Sequence, residues 1–320
     1  MSVLYLLSPG SSVRKDGGRL VVEKDGDLVA RVPLRMVTSV VVGASAGATV
    51  PALFACMEED VPIFFVDRHS YVVGQLGSEA VTLRMLRQQF ACAEDEARAL
   101  ALAKQIVAEK LRGQYRLLKM YEKTIDDERL TKAVRAIKPM RAKVMTANTA
   151  DELRGMEGTC ARAYFAVFPA LLDVKEWSFR GRGDRPARDP VNALLNYGYA
   201  FLEREVRLAL IGHGMDVRIG FFHATDGRRT SLVFDLMEPF RASLIDRFVL
   251  SLLRKGSLKP DDFETTKKDG CRLNDDARRI WYERYEGYME KPYQEYEGKT
   301  PRALIDGYVV AFAQTVRQGL

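Results

Sequence analysis

The feature that most restricts this chain is a change of hydrophobic period near residues 77–82. From Ser2 to about Leu76, apolar residues fall in short runs or in alternation, as in RLVVEKDGDLVARVPL, VTSVVVG and PIFFVDRHSYVVGQL, with Gly, Asp-Gly or Pro between the runs. Period-two alternation enriched in Val and Ile predicts strands. The Asp-Gly of EKDGDL supplies the positive φ that a twist-matched hairpin turn needs, and TVPALFACMEED predicts one short helix. From Leu83 onward the spacing turns helical: EDEARALALAKQIVAEKLRGQYRLLKMY carries strong helix formers and an apolar stripe. The expectation is an α+β chain, a small N-terminal β domain over 1–80 followed by a larger, mostly α-helical domain over 81–320, continuing as helices to its end.

A chain of 320 residues is long for one core, in keeping with two domains. No window approaches the roughly 18 consecutive apolar residues of a membrane span. The start MSVLYLLSPGSSVRKDGG lacks the basic region and long apolar core of a signal peptide, so a cytoplasmic protein with no membrane contact is expected. Cys56, Cys92, Cys160 and Cys271 are scattered without metal-type spacing and read as reduced core thiols. The formal charge of +6 suits a polyanionic partner without proving one.

Acidic residues stand where the apolar pattern would exclude them. In SLVFDLMEPFR, Asp235 and Glu238 lie three apart inside an apolar run, and Pro239 fits the first turn of a helix opening at these acids. In GMEGTCARAYFAVFPALL, Glu157 falls on the inward stripe of Cys160, Tyr164, Val167, Phe168 and Leu171. Each acid alone is explained equally by helix capping and the helix dipole. His223, beside two Phe residues in RIGFFHATDGRRTSL, reads by itself as a hydrogen-bonded core residue, while His69 and His213 have no acidic company of the kind near His223 and keep a structural reading. Taken together, a neutral imidazole with two or three carboxylates is the donor set for a hard or borderline divalent ion, Mg2+ or Mn2+. A cation would explain acids on apolar faces.

MEGTCARAYFAVF, ARDPVNALLNYGYAFLEREVRLAL, IGFFHATDGRRTSLVFDLMEPFRASLIDRFV and, in the first domain, RVPLRMVTSVVVGASAGATVPALFACMEEDVPIFFVDRHSYVVGQL resemble, in order, the CRISPR-associated adaptation integrase family, the "Cas-one" endonucleases. The resemblance implies an N-terminal domain that mediates homodimerisation and a helical catalytic domain. It implies a metal-dependent DNA integrase of CRISPR adaptation that inserts short double-stranded fragments into the repeat array by 3′-hydroxyl attack. Glu157, His223 and Glu238 are the implied catalytic residues and metal ligands, with Asp235 ligating or orienting a ligand; where some relatives carry Asp at the last position, this chain has Glu238. A small partner, "Cas-two", would bridge the dimers, and a fragment-trimming nuclease could join them. Alternatives are a structure-selective nuclease acting on branched DNA and a non-catalytic DNA-binding scaffold.

For DNA, SFRGRGDRPARDP offers Arg180, Arg182, Arg185 and Arg188 among Gly and Pro, ahead of a helix capped by Asp189 and begun by Pro190. A solvated surface loop explains the same residues. Arg228 and Arg229, close after His223, are placed to reach a phosphate. Asn192, Asn196 and Tyr199 bring polar groups into the following helix, as core hydrogen bonding or as support of the site. The apolar strands VTSVVVG and PIFFVD present more hydrophobic surface than a domain this small is expected to cover alone, which points to a symmetric partner.

Overall fold

The structure is a computed structural model and describes residues 2–77, 81–172, 176–183, 186–223 and 230–318. The chain divides into two compact units, Met1–Ala80 and Val81–Leu320. Among the described residues the first contains, in chain order, β1 (Ser2–Leu6), β2 (Ser11–Asp16), β3 (Arg19–Lys24), β4 (Asp27–Pro33), β5 (Val37–Gly43), β6 (Gly47–Ala48), α1 (Val50–Glu58), β7 (Ile63–Val66) and β8 (Val72–Leu76). One sheet has the order β1-β5-β7-β8, parallel except for β8; the other has the order β4-β3-β2-β6. The β3–β4 turn is made at Asp25 and Gly26, both at positive φ (53° and 94°), as the Asp-Gly signal predicts. Leu6, Val13, Leu20, Val40, Val42 and Ile63 close a core with Ala52, Ala55 and Cys56 of α1.

This packing corrects the argument for a symmetric partner. VTSVVVG and PIFFVD form β5 and β7, the two central strands, and Val37, Val40, Val42 and Ile63 are spent on the unit's own core, with Val40 2% and Ile63 1% exposed. Among the described residues of this unit, the exposed large apolar side chains are instead Leu28 and Val29 on edge strand β4, Met36 just after it, Val73 on edge strand β8, and Val50 and Phe54 on α1.

The second unit is helical: α2 (Leu83–Glu94), α3 (Glu96–Glu122), α4 (Glu128–Lys143), α5 (Ala150–Leu172), α6 (Pro190–Gly212), α7 (Ser231–Phe240), α8 (Arg247–Arg254), α9 (Asp275–Glu290) and α10 (Pro301–Gln318). It departs from an all-helical continuation at a hairpin, β9 (Phe263–Thr266) and β10 (Gly270–Leu273), which the helical reading of this region overlooked. Asp189 caps α6 through the Asn192 N–H, with Pro190 in the first turn, as expected. The aromatic tail is packing, since Trp281 and Tyr285 are fully buried against Phe201 and Phe248. All four cysteines are free and buried. No described helix is long and apolar enough to cross a membrane.

α7 differs from the expectation in its start. It begins at Ser231 and not at the acids, so Pro239 lies inside it, and the chain continues through a π-type stretch, Arg241–Asp246, into α8. An interior proline lacks the N–H for the carbonyl four residues back and crowds it; a widened turn relieves that conflict. α7 is apolar on nearly all sides and is buried as such, packed against α3 and α6. Gly113 lets α3 approach: a Cβ there would lie 3.3 Å from the Pro239 carbonyl oxygen and 3.5 Å from Ser243 Cβ. Gly113→Val should therefore lower stability by about 1–3 kcal/mol, the usual range for overpacking. Urea unfolding checks this, and a wild-type midpoint would mean that the helices have slack at this contact.

Candidate active site

Glu157 sits two turns inside α5, between Leu153 and Cys160 on the buried stripe. The first-turn acids of α5 are Asp151 and Glu152, so capping does not explain Glu157. What meets it is Lys110 of α3, whose Nζ lies 2.5 Å from Glu157 Oε1 and 2.5 Å from Glu238 Oε2. On its other side Glu238 meets Arg241, with Nε 3.0 Å from Oε1. Glu238 Oε2 and Arg241 Nε make close charge contacts without hydrogen-bond alignment. Burial pushes the Glu238 carboxyl up, but the charges of Arg241 and Lys110 outweigh it and bring its pKa down to about 2. Burial pulls Lys110 down, and Glu238 and Glu157 more than reverse it, holding the ammonium above its ordinary value.

Asp235 answers to a different set of donors. It is fully buried, and a loop wraps around it: Phe221 N (2.6 Å) and Phe222 N (3.0 Å) donate to Oδ2, while His223 N (2.8 Å) and His223 Nδ1 (2.6 Å) reach Oδ1. Gly220 permits the wrap, because a Cβ there would fall 2.6 Å from Ser231 Cβ and 3.0 Å from Asp235 Oδ2. A carboxylate only accepts, so Nδ1 carries a proton, and in the neutral imidazole the lone pair is then on Nε2. His223 is therefore oriented by a carboxylate, in the arrangement that metal-ligating imidazoles share.

A cleft of about 330 Å³ opens at Glu157, Glu238 and Lys110, and Gln114, Arg182, Tyr199, Arg241 and Asp246 complete its polar lining. Arg182 is no loose loop residue: it donates to Asn192 Oδ1 (2.8 Å) and Asn196 Oδ1 (2.7 Å) and lies over the rings of Tyr199 and Phe165. Asn192, buried, also binds the Gly183 N–H, the Gly181 carbonyl and Asp189, fixing the turn that carries Arg182. Tyr199 donates to Asp246 Oδ1 at 2.6 Å, and Tyr164 to Oδ2 at 2.8 Å. Burial raises Asp246 to about 6 against these hydrogen bonds.

Arg180 and Arg188 are exposed, while Arg185, Arg228 and Arg229 lie outside the described residues. His213 keeps its structural reading: its Nε2 is 2.7 Å from Asp306 Oδ1, a residue 93 positions away. Lys110, Gln114, Arg241 and Asp246 are the site residues that the sequence reading missed. Lys110 carried a legible signal, since it shares a helix stripe with buried Ile106, Gly113 and Leu117.

The donor set suits a hard divalent ion: two carboxylates from separate helices converge on one cation, Glu238 has an unaligned buried oxygen, and His223 Nε2 has no hydrogen-bond partner among the described residues. Glu157, Glu238 and His223 would hold Mg2+ or Mn2+. Both Asp235 oxygens are taken up by the loop, which fits orientation of His223 rather than direct ligation. Among the described residues no three His, Cys, Asp or Glu side chains are grouped closely enough to ligate one ion, and the Lys110 ammonium stands between the two glutamates.

Residues 4–287 match the sequence profile of the family described as CRISPR associated protein Cas1. CRISPR-associated endonuclease Cas1 1 of Thermus thermophilus is 36% identical over 277 residues, 86% of this chain and 83% of that protein. CRISPR-associated endonuclease Cas1 2 of Rhodospirillum rubrum is 32% identical over 310 residues, 92% and 89% of the two chains. A CRISPR-associated exonuclease Cas4/endonuclease Cas1 fusion from the same organism is 31% identical over 90% of this chain and 50% of its own. Among solved structures, a Cas1 protein from Thermotoga maritima superposes with a TM-score of 0.85 at 21% identity, covering 98% of this chain and 97% of that one. A chain of a Cas6-RT-Cas1–Cas2 complex gives 0.83 at 25% identity, covering 99% of this chain and 35% of that chain. A casposase bound to integration product gives 0.81 at 26% identity, over 99% and 91%.

The raised Asp246 predicts a pH effect of definite sign. The folded state holds this proton up to about pH 6, whereas an unfolded carboxyl releases it near 3.8, so its contribution to stability is complete below about 3.8 and is lost as pH rises towards 6. Relative to Asp246→Asn, metal-free wild type should lose stability between pH 4 and 6.5, compared by urea unfolding at each pH. Parallel curves for the two proteins would show that Asp246 does not carry this proton.

Proposed function

This chain belongs to the CRISPR-associated protein Cas1 family, and on that premise we propose that it is a metal-dependent DNA integrase of CRISPR adaptation. It joins the 3′-hydroxyl of a short DNA fragment to a phosphorus in the repeat. The observation that carries the reading is the convergence of Glu157 and Glu238 from α5 and α7 at one cation position, in a cleft lined by Arg182 and Arg241. The names of the relatives, endonucleases, and of the casposase bound to integration product agree with phosphodiester chemistry. Hydrolysis would use the same groups with water in place of the 3′-hydroxyl.

A divalent ion bound here supplies a Lewis acid that activates the attacking hydroxyl and offsets charge on the phosphate and leaving oxygen. The chain's own residues do the positioning. Asp235 keeps the proton on His223 Nδ1 and aims Nε2. Arg241, fixed between Glu238 and the Tyr199 ring, and Arg182, clamped by Asn192 and Asn196, present guanidinium groups whose planar fork matches a phosphate. Exposed Arg180 and Arg188 bind the DNA backbone without reading sequence.

The Cas2 named in one structural relative and the Cas4 fused in another support a Cas2 partner and a fragment-trimming nuclease. Homodimerisation through the β domain has the exposed Leu28, Val29 and Val73 of its edge strands as its surface.

Glu157→Gln keeps volume and removes a charge, so transfer of a labelled duplex 3′ end into repeat DNA with Mn2+ should fall by orders of magnitude while duplex binding is largely retained. His223→Ala and Glu238→Gln should behave alike, and doubles should lose little more than singles, as for residues that act as a unit. Wild-type joining by Glu157→Gln would overturn the assignment. In a separate assay, Arg180→Ala combined with Arg188→Ala should weaken binding to all duplexes equally and flatten the dependence of log K on log salt, each lost phosphate contact reducing the slope by about 0.9. An unchanged slope would leave these arginines as plain surface.

A further inference from the structure

Lys110 is a positively charged side chain in the place where the proposed metal site needs a positive charge. We infer that Lys110 is a positioning residue whose ammonium occupies the cation place between Glu157 and Glu238 when no divalent ion is bound, keeps the two carboxylates together, and is displaced when the ion enters. This rests on the metal-site reading above and goes beyond it, because it makes ion uptake an exchange of one cation for another.

Four observations carry it. The ammonium is 2.5 Å from an oxygen of each glutamate, so it and an ion held by those oxygens cannot both be there. Its hydrogen-bond and ion-pair partners among the described residues are these two glutamates, so nothing else retains it once they turn to another cation. Glu238 keeps Arg241, itself seated over the Tyr199 ring with Cζ 4.5 Å from the centroid, so one side chain has to move and not two. The type of residue also fits. Lysine offers a compact point charge on a flexible four-carbon stem, which can withdraw along the cleft, whereas a forked guanidinium locks on two oxygens at once. Without either cation, two carboxylates would face each other in a largely buried setting, which a folded chain avoids.

The consequence is a site that folds well without its ion and binds the ion more weakly than its carboxylates alone would. If the ammonium vacates the place only one time in ten, the apparent Kd rises tenfold.

The test is calorimetric titration of the full chain with Mn2+, beside thermal melts in metal-free buffer, for wild type, Lys110→Met, Lys110→Arg and Glu238→Gln. Lys110→Met should melt several degrees lower without metal, bind Mn2+ about tenfold more tightly or better, and regain its melting temperature on Mn2+ addition. Lys110→Arg should stay stable and gain no affinity. Should Lys110→Met fail to fold, Lys110→Gln, neutral but able to donate to one glutamate, is read by the same titration. A Kd in the neutral variant equal to or weaker than wild type, while Glu238→Gln abolishes binding, overturns the exchange and leaves the metal site standing. Wild type that takes up no Mn2+, or takes it up equally with Glu238→Gln, overturns both.

Discussion

Two carboxylates brought together below the surface of a helical domain are the constraint on which the rest of this unit depends. Glu157 and Glu238 lie on helices that could otherwise pack as plain apolar cylinders. Their juxtaposition is tolerable only with positive charge between and beside them, and Lys110 and Arg241 provide it at 2.5 and 3.0 Å. α3, α5 and α7 are thus joined by electrostatics at one point and by hydrophobic packing everywhere else. The point charge decides what chemistry is possible there, and the packing decides how rigidly it is held.

Around that point stands a second ring of fixed groups. Asp246 binds two tyrosines, Tyr199 carries Arg241 and Arg182 on its face, and Asn192 and Asn196 clamp Arg182 from α6. The π-type stretch after Pro239 contributes both Arg241 and Asp246, so the irregularity in the α7–α8 rod falls where the site draws on it. Such widened turns are often found at functional sites. Just ahead of α6, the Cys271 N–H donates to the Ala187 carbonyl at 2.8 Å, so the β9–β10 hairpin anchors the turn leading into that helix.

Much of this was legible in the sequence. The change of period placed the two units, and the Asp-Gly turn and the Asp189-Pro190 helix start came out where their chemistry put them. Acids inside apolar runs marked Glu157, Asp235 and Glu238, because charge on a buried stripe is a local anomaly that needs no fold to be noticed. Their partners were not legible for the opposite reason. Lys110 looks like any helical lysine until α3 is laid against α5 and α7, and the N–H groups of residues 221–223 have no side-chain signature at all. Pro239 misled because proline favours a first turn; the apolar run from Leu232 to Met237 extended the helix past that preference, and the π-type stretch relieved the conflict. The central position of β5 and β7 was likewise a matter of topology that apolar content alone does not reveal.

The Lys110 bridge also orders events in time. It joins α3 to Glu157 across 47 residues, and to Glu238 across a still longer stretch of chain. Contacts of such separation form late, since the loops between them must close first. A chain emerging from the ribosome can complete the core of its β domain before any residue of the cleft has been made. It then carries Lys110 and Glu157 for many residues of synthesis with no Glu238, no Arg241 and no aligned His223. A chain that is truncated, nicked or only partly folded therefore holds the acids without the site, and the proposed phosphodiester chemistry is withheld until α7 has docked.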